Sequence, residues 1–178
     1  MPPQENDDAV MSGIRTLLTD AASRLALAGA RDEALGEYVP ARRKLLVTRR
    51  AVMVPRGRVW RLGVLLIDPD GAVYREGLTT RAVPPGRTQY QSESAEVRRA
   101  YRDAAFRGRF SEGETVNFDA TPIVLDAAEL RASTGVLFVR GDEPLVRWSA
   151  TAGDDAAIPL ERYLRDRVDL LVNPPAGA

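Results

Sequence analysis

The chain contains no cysteine and no histidine, and among its 25 basic residues only Lys44 is a lysine. Without histidine, every Ser-His-Asp and Cys-His arrangement is excluded, together with the side chain that most often acts as general base near neutral pH. Without cysteine there are no ligands for the usual N/S zinc sites or iron-sulfur clusters, and no thiol chemistry. Only an all-oxygen metal site is left, and neither a cofactor nor a resident metal is expected. A lysine mechanism would fall on Lys44, which lacks a surrounding Gly-rich phosphate loop and has no serine three residues before it. Aromatics are sparse, at 6%, which argues against stacking platforms for single-stranded nucleic acid. Apolar runs such as Val64 to Ile67 fall far short of the roughly 20 residues of a membrane-spanning helix. The first eight residues have neither the basic nor the apolar region of a secretory signal. These absences point to a cytoplasmic, cofactor-free protein that does not span a membrane.

What is present is an ordinary globular composition: 178 residues, 44% apolar and 28% charged. One domain is expected over residues 9–173, between a disordered tail at 1–8 and a loose tail at 174–178. Net charge is zero but unevenly spread, at −4 over residues 1–39, +10 over 40–110 and −6 over 111–178. Such a basic middle is either a footprint for an anionic partner or a segment neutralised by its flanks on folding.

Ile14, Leu17, Leu18, Ala21, Ala22 and Leu25 recur at helical spacing, and Gly29 suits a left-handed helix end. A further turn of helix is expected over 32–38. Strands are predicted at 45–54, 59–67 and 72–80, with Pro55-Arg56-Gly57 and Asp68-Pro69-Asp70-Gly71 as turns and Gly63 as a bulge or a site of close packing. A connection at 82–91 leads into a helix opened by Ser92 or Ser94 and closed by Arg107 and Gly108. Short strands at 115–118 and 123–125 follow, then a hairpin at 136–151 and a final helix from Pro159 to Asn173. The expected fold is α+β: a mainly antiparallel sheet of about five to seven strands with three helices packed on it. A parallel doubly wound fold is disfavoured because strands and helices do not alternate.

The densest unusual chemistry is arginine with amides. Arg61, Arg81, Arg87, Gln89 and Arg109 are the candidate ligand-binding residues, because converging guanidinium groups hold carboxylate or phosphate in a bidentate manner. Arg61 interrupts an apolar strand and needs either a carboxylate or a cavity. Glu112 and Glu114 are the candidate catalytic carboxylates, with Asn117 and Asp119 on the following strand; flanking Gly113, they fit a bend equally well. Asp68 with Asp70, and Asp154 with Asp155, are paired carboxylates that also suit turns and loops. Nucleic acid is disfavoured as a partner by an acidic pI near 6.4 and by the lack of helix-turn-helix spacing.

The segments Arg61-Leu-Gly-Val-Leu-Leu, Arg81-Ala-Val-x-x-Gly-Arg87, Ala104-Ala-Phe-Arg-Gly, Glu112-Gly-Glu and Pro159-Leu-Glu-Arg-Tyr-Leu164 run through most of the chain. In these it resembles a small family from high-GC bacteria, some of whose members carry the label glutaminase. The resemblance implies amide hydrolysis by a serine or cysteine nucleophile; the Ser-Lys and Cys-His pairs used by known glutaminases have no counterpart here. The residues themselves point first to a module that binds an anionic small molecule or a protein partner, with a homodimer as the expected assembly. A carboxylate hydrolase, acting on an amide or with magnesium on a phosphate, and a structural subunit are the alternatives.

Overall fold

The computed structural model describes residues 3–44, 47–84, 93–149 and 153–175. In chain order the elements begin with α1 (Pro3–Leu27), β1 (Glu33–Val39), β2 (Arg42–Lys44), β3 (Val47–Arg49) and β4 (Val52–Leu62). Then come β5 (Leu65–Ile67), β6 (Val73–Arg75), β7 (Leu78–Arg81), α2 (Glu93–Arg107), β8 (Thr115–Phe118) and β9 (Thr121–Pro122). The chain closes with α3 (Ala127–Ala132), β10 (Leu137–Arg140), β11 (Glu143–Val146), β12 (Ile158–Pro159) and α4 (Leu160–Val172). This is an α+β fold with a mixed, mainly antiparallel sheet of seven strands. None of its described helices is long and apolar enough to cross a membrane.

The chain groups into two compact units. The first comprises Met1–Arg31, Trp60–Arg75 and Thr121–Ala178, and the second Asp32–Val59 and Glu76–Ala120. Strand β4 runs through both.

In the first unit, α1 buries Val10, Met11, Ile14, Leu18, Ala21, Ala22 and Leu25, a stripe at steps of three and four residues. They pack with Leu160, Tyr163, Leu164 and Val168 of α4, and with Leu62, Leu65, Ile67 and Val73 of the strands. Gly29 takes φ +60°, and the Ala30 amide returns to the Leu25 carbonyl at 2.9 Å, closing α1 as the sequence indicated. The helix starts earlier than expected, at Pro3. Proline is tolerated in a first turn and acidic side chains favour a helix N-terminus, so the composition that reads as a frayed tail also suits a helix start. Asp7 is held there by Arg131, at 2.6 Å.

Strands β4 and β5 pair through Leu62 opposite Leu65, joined by Gly63-Val64. Gly63, expected to be a bulge or a site of close packing, is a hairpin residue at φ +69° packed close to the Tyr163 hydroxyl. The buried Tyr163 hydroxyl clamps this turn, donating to the Leu62 carbonyl at 2.6 Å and accepting from the Val64 amide at 3.0 Å. The predicted Asp68–Gly71 turn is present, with Asp68 Oδ1 accepting from the amides of Asp70 (3.0 Å) and Ala72 (2.8 Å). The predicted hairpin is β10–β11, whereas residues 123–125, expected to be a strand, have no regular secondary structure and follow the two-residue β9. Helix α3 was not foreseen: six residues carry too little periodicity to show, although Asp126 caps it by accepting from the Glu129 amide at 3.0 Å.

In the second unit the strand order is β7-β8-β1-β4. The further helical turn expected over 32–38 is absent: Glu33–Val39 form β1, which is antiparallel to β4 and parallel to β8. Pairing on both edges overrides the weak local preference. Gly36 permits it, since a Cβ there would lie 2.9 Å from Met53 Cγ and 3.0 Å from Val116 Cγ1. Pro55-Arg56-Gly57 lies within β4 instead of turning. Leu35 faces Gly57 and Gly36 faces Pro55, so Arg56 is the extra residue of a β-bulge. The core here is smaller: Ala34, Met53, Ala82, Ala105, Val116 and Phe118, with Tyr38, Tyr101 and Phe110 against them. Strands β2 and β3 form a separate two-stranded ribbon.

Replacing Tyr163 with Phe leaves the buried Leu62 carbonyl and the Val64 amide without this partner and is expected to cost about 1–3 kcal/mol in urea unfolding. Gly63→Ala, which adds strain at positive φ and overlap with the Tyr163 hydroxyl, is expected to destabilise by more than about 1 kcal/mol.

Candidate functional site

Charge pairing sorts the arginines. In the second unit Arg58 on β4 meets Asp32 in a bidentate pair, Nη2 to Oδ1 at 2.7 Å and Nε to Oδ2 at 3.1 Å. Its Nη1 donates to Glu114, whose other oxygen accepts from the Ser111 amide at 3.0 Å. Hydrogen bonding to Arg58 outweighs partial burial and holds the Asp32 carboxyl below its ordinary value. The Arg58 guanidinium is in turn pushed up, first by the Asp32 bond and then by the Glu114 bond. Beside this pair Asn117, fully buried, donates from Nδ2 to Glu33 Oε2 at 2.8 Å and to the Ala34 carbonyl at 3.2 Å. It thereby stitches β8 to β1 along their short parallel ladder.

The candidate catalytic carboxylates are accounted for by this arrangement. Glu114 is a structural counter-ion, while Glu112 is exposed beside Gly113, which has φ +78°. Asn117 is turned to Glu33, and Asp119 is exposed. Asp68 is committed to its turn, and Asp154 to Arg147 (2.6 Å) and Arg140 (3.2 Å). No cluster of three metal-ligating side chains occurs among the described residues.

Of the candidate ligand-binding residues, Arg61, Arg81 and Arg109 are among those described. Arg61 is half-buried on β4 in the first unit, opposite Leu66. Arg81 is exposed at the end of β7 in the second, opposite Thr115. Arg109 is exposed, and its backbone takes φ +65°. One residue earlier, Gly108 is pressed against the Met53 backbone, where a Cβ would have no room. Arg87 and Gln89 lie outside the described residues, as does Ser92.

The structure offers a different site, within the first unit. A pocket of about 230 Å³ opens between the end of β6, the segment from β9 to Val124, α3 and the entry to β10. Ile123, Leu130, Val136 and Leu137 make it apolar, and Arg75 and Glu129 supply one charge of each sign. The loop from Ser133 to Leu137 is shaped by the Ser133 hydroxyl, which donates to the Leu137 carbonyl at 2.8 Å and accepts from the Gly135 amide at 3.1 Å. Arg75 is exposed and makes one long hydrogen bond, to Thr121 Oγ1 at 3.4 Å; among the described residues no carboxylate pairs with it. Nothing in the sequence marked Arg75, which reads as an ordinary outward residue of a strand. Its neighbours Thr121 and Glu129 lie about fifty residues further along the chain. Comparison with known protein families, curated proteins and solved structures finds no match.

Because the Asp32 carboxyl is held low, its contribution to stability is present above the unfolded value near 4 and is lost as pH falls through the lower folded value. Asp32→Asn is therefore expected to cost up to about 1 kcal/mol at pH 7, modest for a half-exposed pair. The difference from the parent chain should shrink below about pH 4, as checked by urea unfolding at several pH values.

Proposed function

We propose that this chain is a binding module for a small amphipathic carboxylate, held in the pocket that Arg75 lines. The supporting observation is a guanidinium without a carboxylate partner among the described residues, beside an apolar cavity. A guanidinium fork recognises carboxylate in a bidentate manner, and the apolar wall takes the hydrocarbon part. The volume is below the roughly 300–1,000 Å³ of drug-sized sites, which limits the guest to a short branched or single-ring acid. Glu129 lines the same pocket and provides a counter-charge for a ligand ammonium, so apolar α-amino acids belong to the same class.

The cysteine-free composition suits a reducing compartment, and a cytoplasmic location is part of this proposal. So is a homodimer, for which the exposed Val97 and Phe106 of α2 supply apolar surface. A hydrolase built on Glu114 has no comparable support, since that carboxylate is already engaged by Arg58 and Ser111.

Calorimetry with short branched and aromatic carboxylates, their amides and apolar α-amino acids tests the reading. Binding of acids and not of amides is expected. Arg75→Met should weaken it about 10- to 100-fold, in line with roughly 1.5–3 kcal/mol for a hydrogen bond to a charged group. Arg81→Met should leave it unchanged. Equal binding of acid and amide, or no binding of either, refutes the proposal.

A further inference from the structure

From Pro40 to Ile67 the chain has no acidic residue, and the β2–β3 ribbon opens that stretch with Arg42, Arg43, Lys44, Arg49 and Arg50. Its register sets Arg42 directly opposite Arg49, and Arg43 opposite Thr48. Like charges placed directly across a ladder repel and destabilise it. The ribbon is joined to no further strand among the described residues. Arg42, Arg43, Arg49 and Arg50 are exposed, and no described carboxylate is within ion-pair distance of them. A repulsive cross-strand pair left without internal counter-ions suits a partner that supplies the negative charge.

The alternation of a strand limits what such a partner can contact. Arg42 and Arg49 occupy one face of the ribbon and Arg43 the other. A flat anionic lipid surface meets one face only. A groove with phosphates along both walls meets both faces, and the B-DNA major groove, about 12 Å wide, admits a two-stranded ribbon. The corresponding groove of A-form RNA is deep and narrow. We infer that the β2–β3 ribbon is a docking element for duplex DNA, binding its phosphates through Arg42, Arg43 and Arg49 without reading sequence. The acidic overall pI, which argued against nucleic acid, averages over flanks that the ribbon does not share. This inference does not depend on the pocket.

The test uses the full chain and fluorescence anisotropy with a labelled duplex of about 24 base pairs and arbitrary sequence, at salt from about 50 to 200 mM. Phosphatidylserine vesicles and duplex RNA are the competing arms. Salt-sensitive binding to the DNA duplex is expected. The R42Q/R49Q double variant should weaken it at least about tenfold and lower the slope of log K against log salt by about two, near 0.9 per phosphate contact. Its Tm should be unchanged or higher, because a repulsive pair has been removed. Absence of duplex binding, preference for vesicles or RNA, unchanged affinity in the variant, or a Tm several degrees lower overturns the inference.

Discussion

Three stretches of chain far apart in sequence meet at one guanidinium in the second unit. Arg58 stands on β4, Asp32 immediately before β1 and Glu114 immediately before β8. The cation is shared by two carboxylates, each standing where a strand begins. Beside these strand starts β1 and β8 run parallel, with Ala34 in register with Val116 and Asn117 fully buried. Asn117 could not be fully buried unless its amide found acceptors, and the Ala34 carbonyl and Glu33 provide them. Small residues complete the arrangement: Gly36 lets Met53 and Val116 approach, and Ala34, Ala82 and Ala105 leave room for the contacts among Tyr38, Tyr101 and Phe118.

The first unit depends more on apolar burial. The seven buried residues of α1 and four of α4 supply most of a helical wall against β4, β5 and β6. The Tyr163 hydroxyl performs there the task that Arg58 performs in the other unit, with neutral hydrogen bonds in place of charge. Acting from α4, it fixes the position of the Gly63-Val64 turn and hence the pairing of Leu62 with Leu65.

The same accounting of partners decides where a guest is plausible on physical grounds. Arg56 pairs with Glu37, Arg58 with Asp32 and Glu114, Arg131 with Asp7, and Arg147 with Asp154. These guanidinium groups serve the fold. Arg75 is in a different position, beside an apolar hollow and touching only a threonine hydroxyl among the described residues. The sequence favoured Arg61 because it interrupts an apolar run, and Glu112 and Glu114 because they stand close together. Closeness along the chain says nothing about what lies across the sheet, and Arg58 is 56 residues away from the carboxylate it neutralises.

By itself the sequence determined the α+β class, the helices α1, α2 and α4, the β10–β11 hairpin and the turn at Asp68–Gly71. Each of these is written in local periodicity or in residues with restricted backbone preferences, so a window of about ten residues contains the cause. It also excluded histidine and thiol chemistry outright, since composition needs no geometry. Only the tertiary structure decided that residues 33–39 are a strand, that Pro55-Arg56-Gly57 is a bulge and that one strand pair is parallel. It alone separated arginines that are spent on internal carboxylates, such as Arg58 and Arg147, from Arg75 beside a pocket. Those outcomes depend on backbone pairing and charge pairing between distant segments, and the energy of such contacts resides in partners that no local stretch of sequence contains.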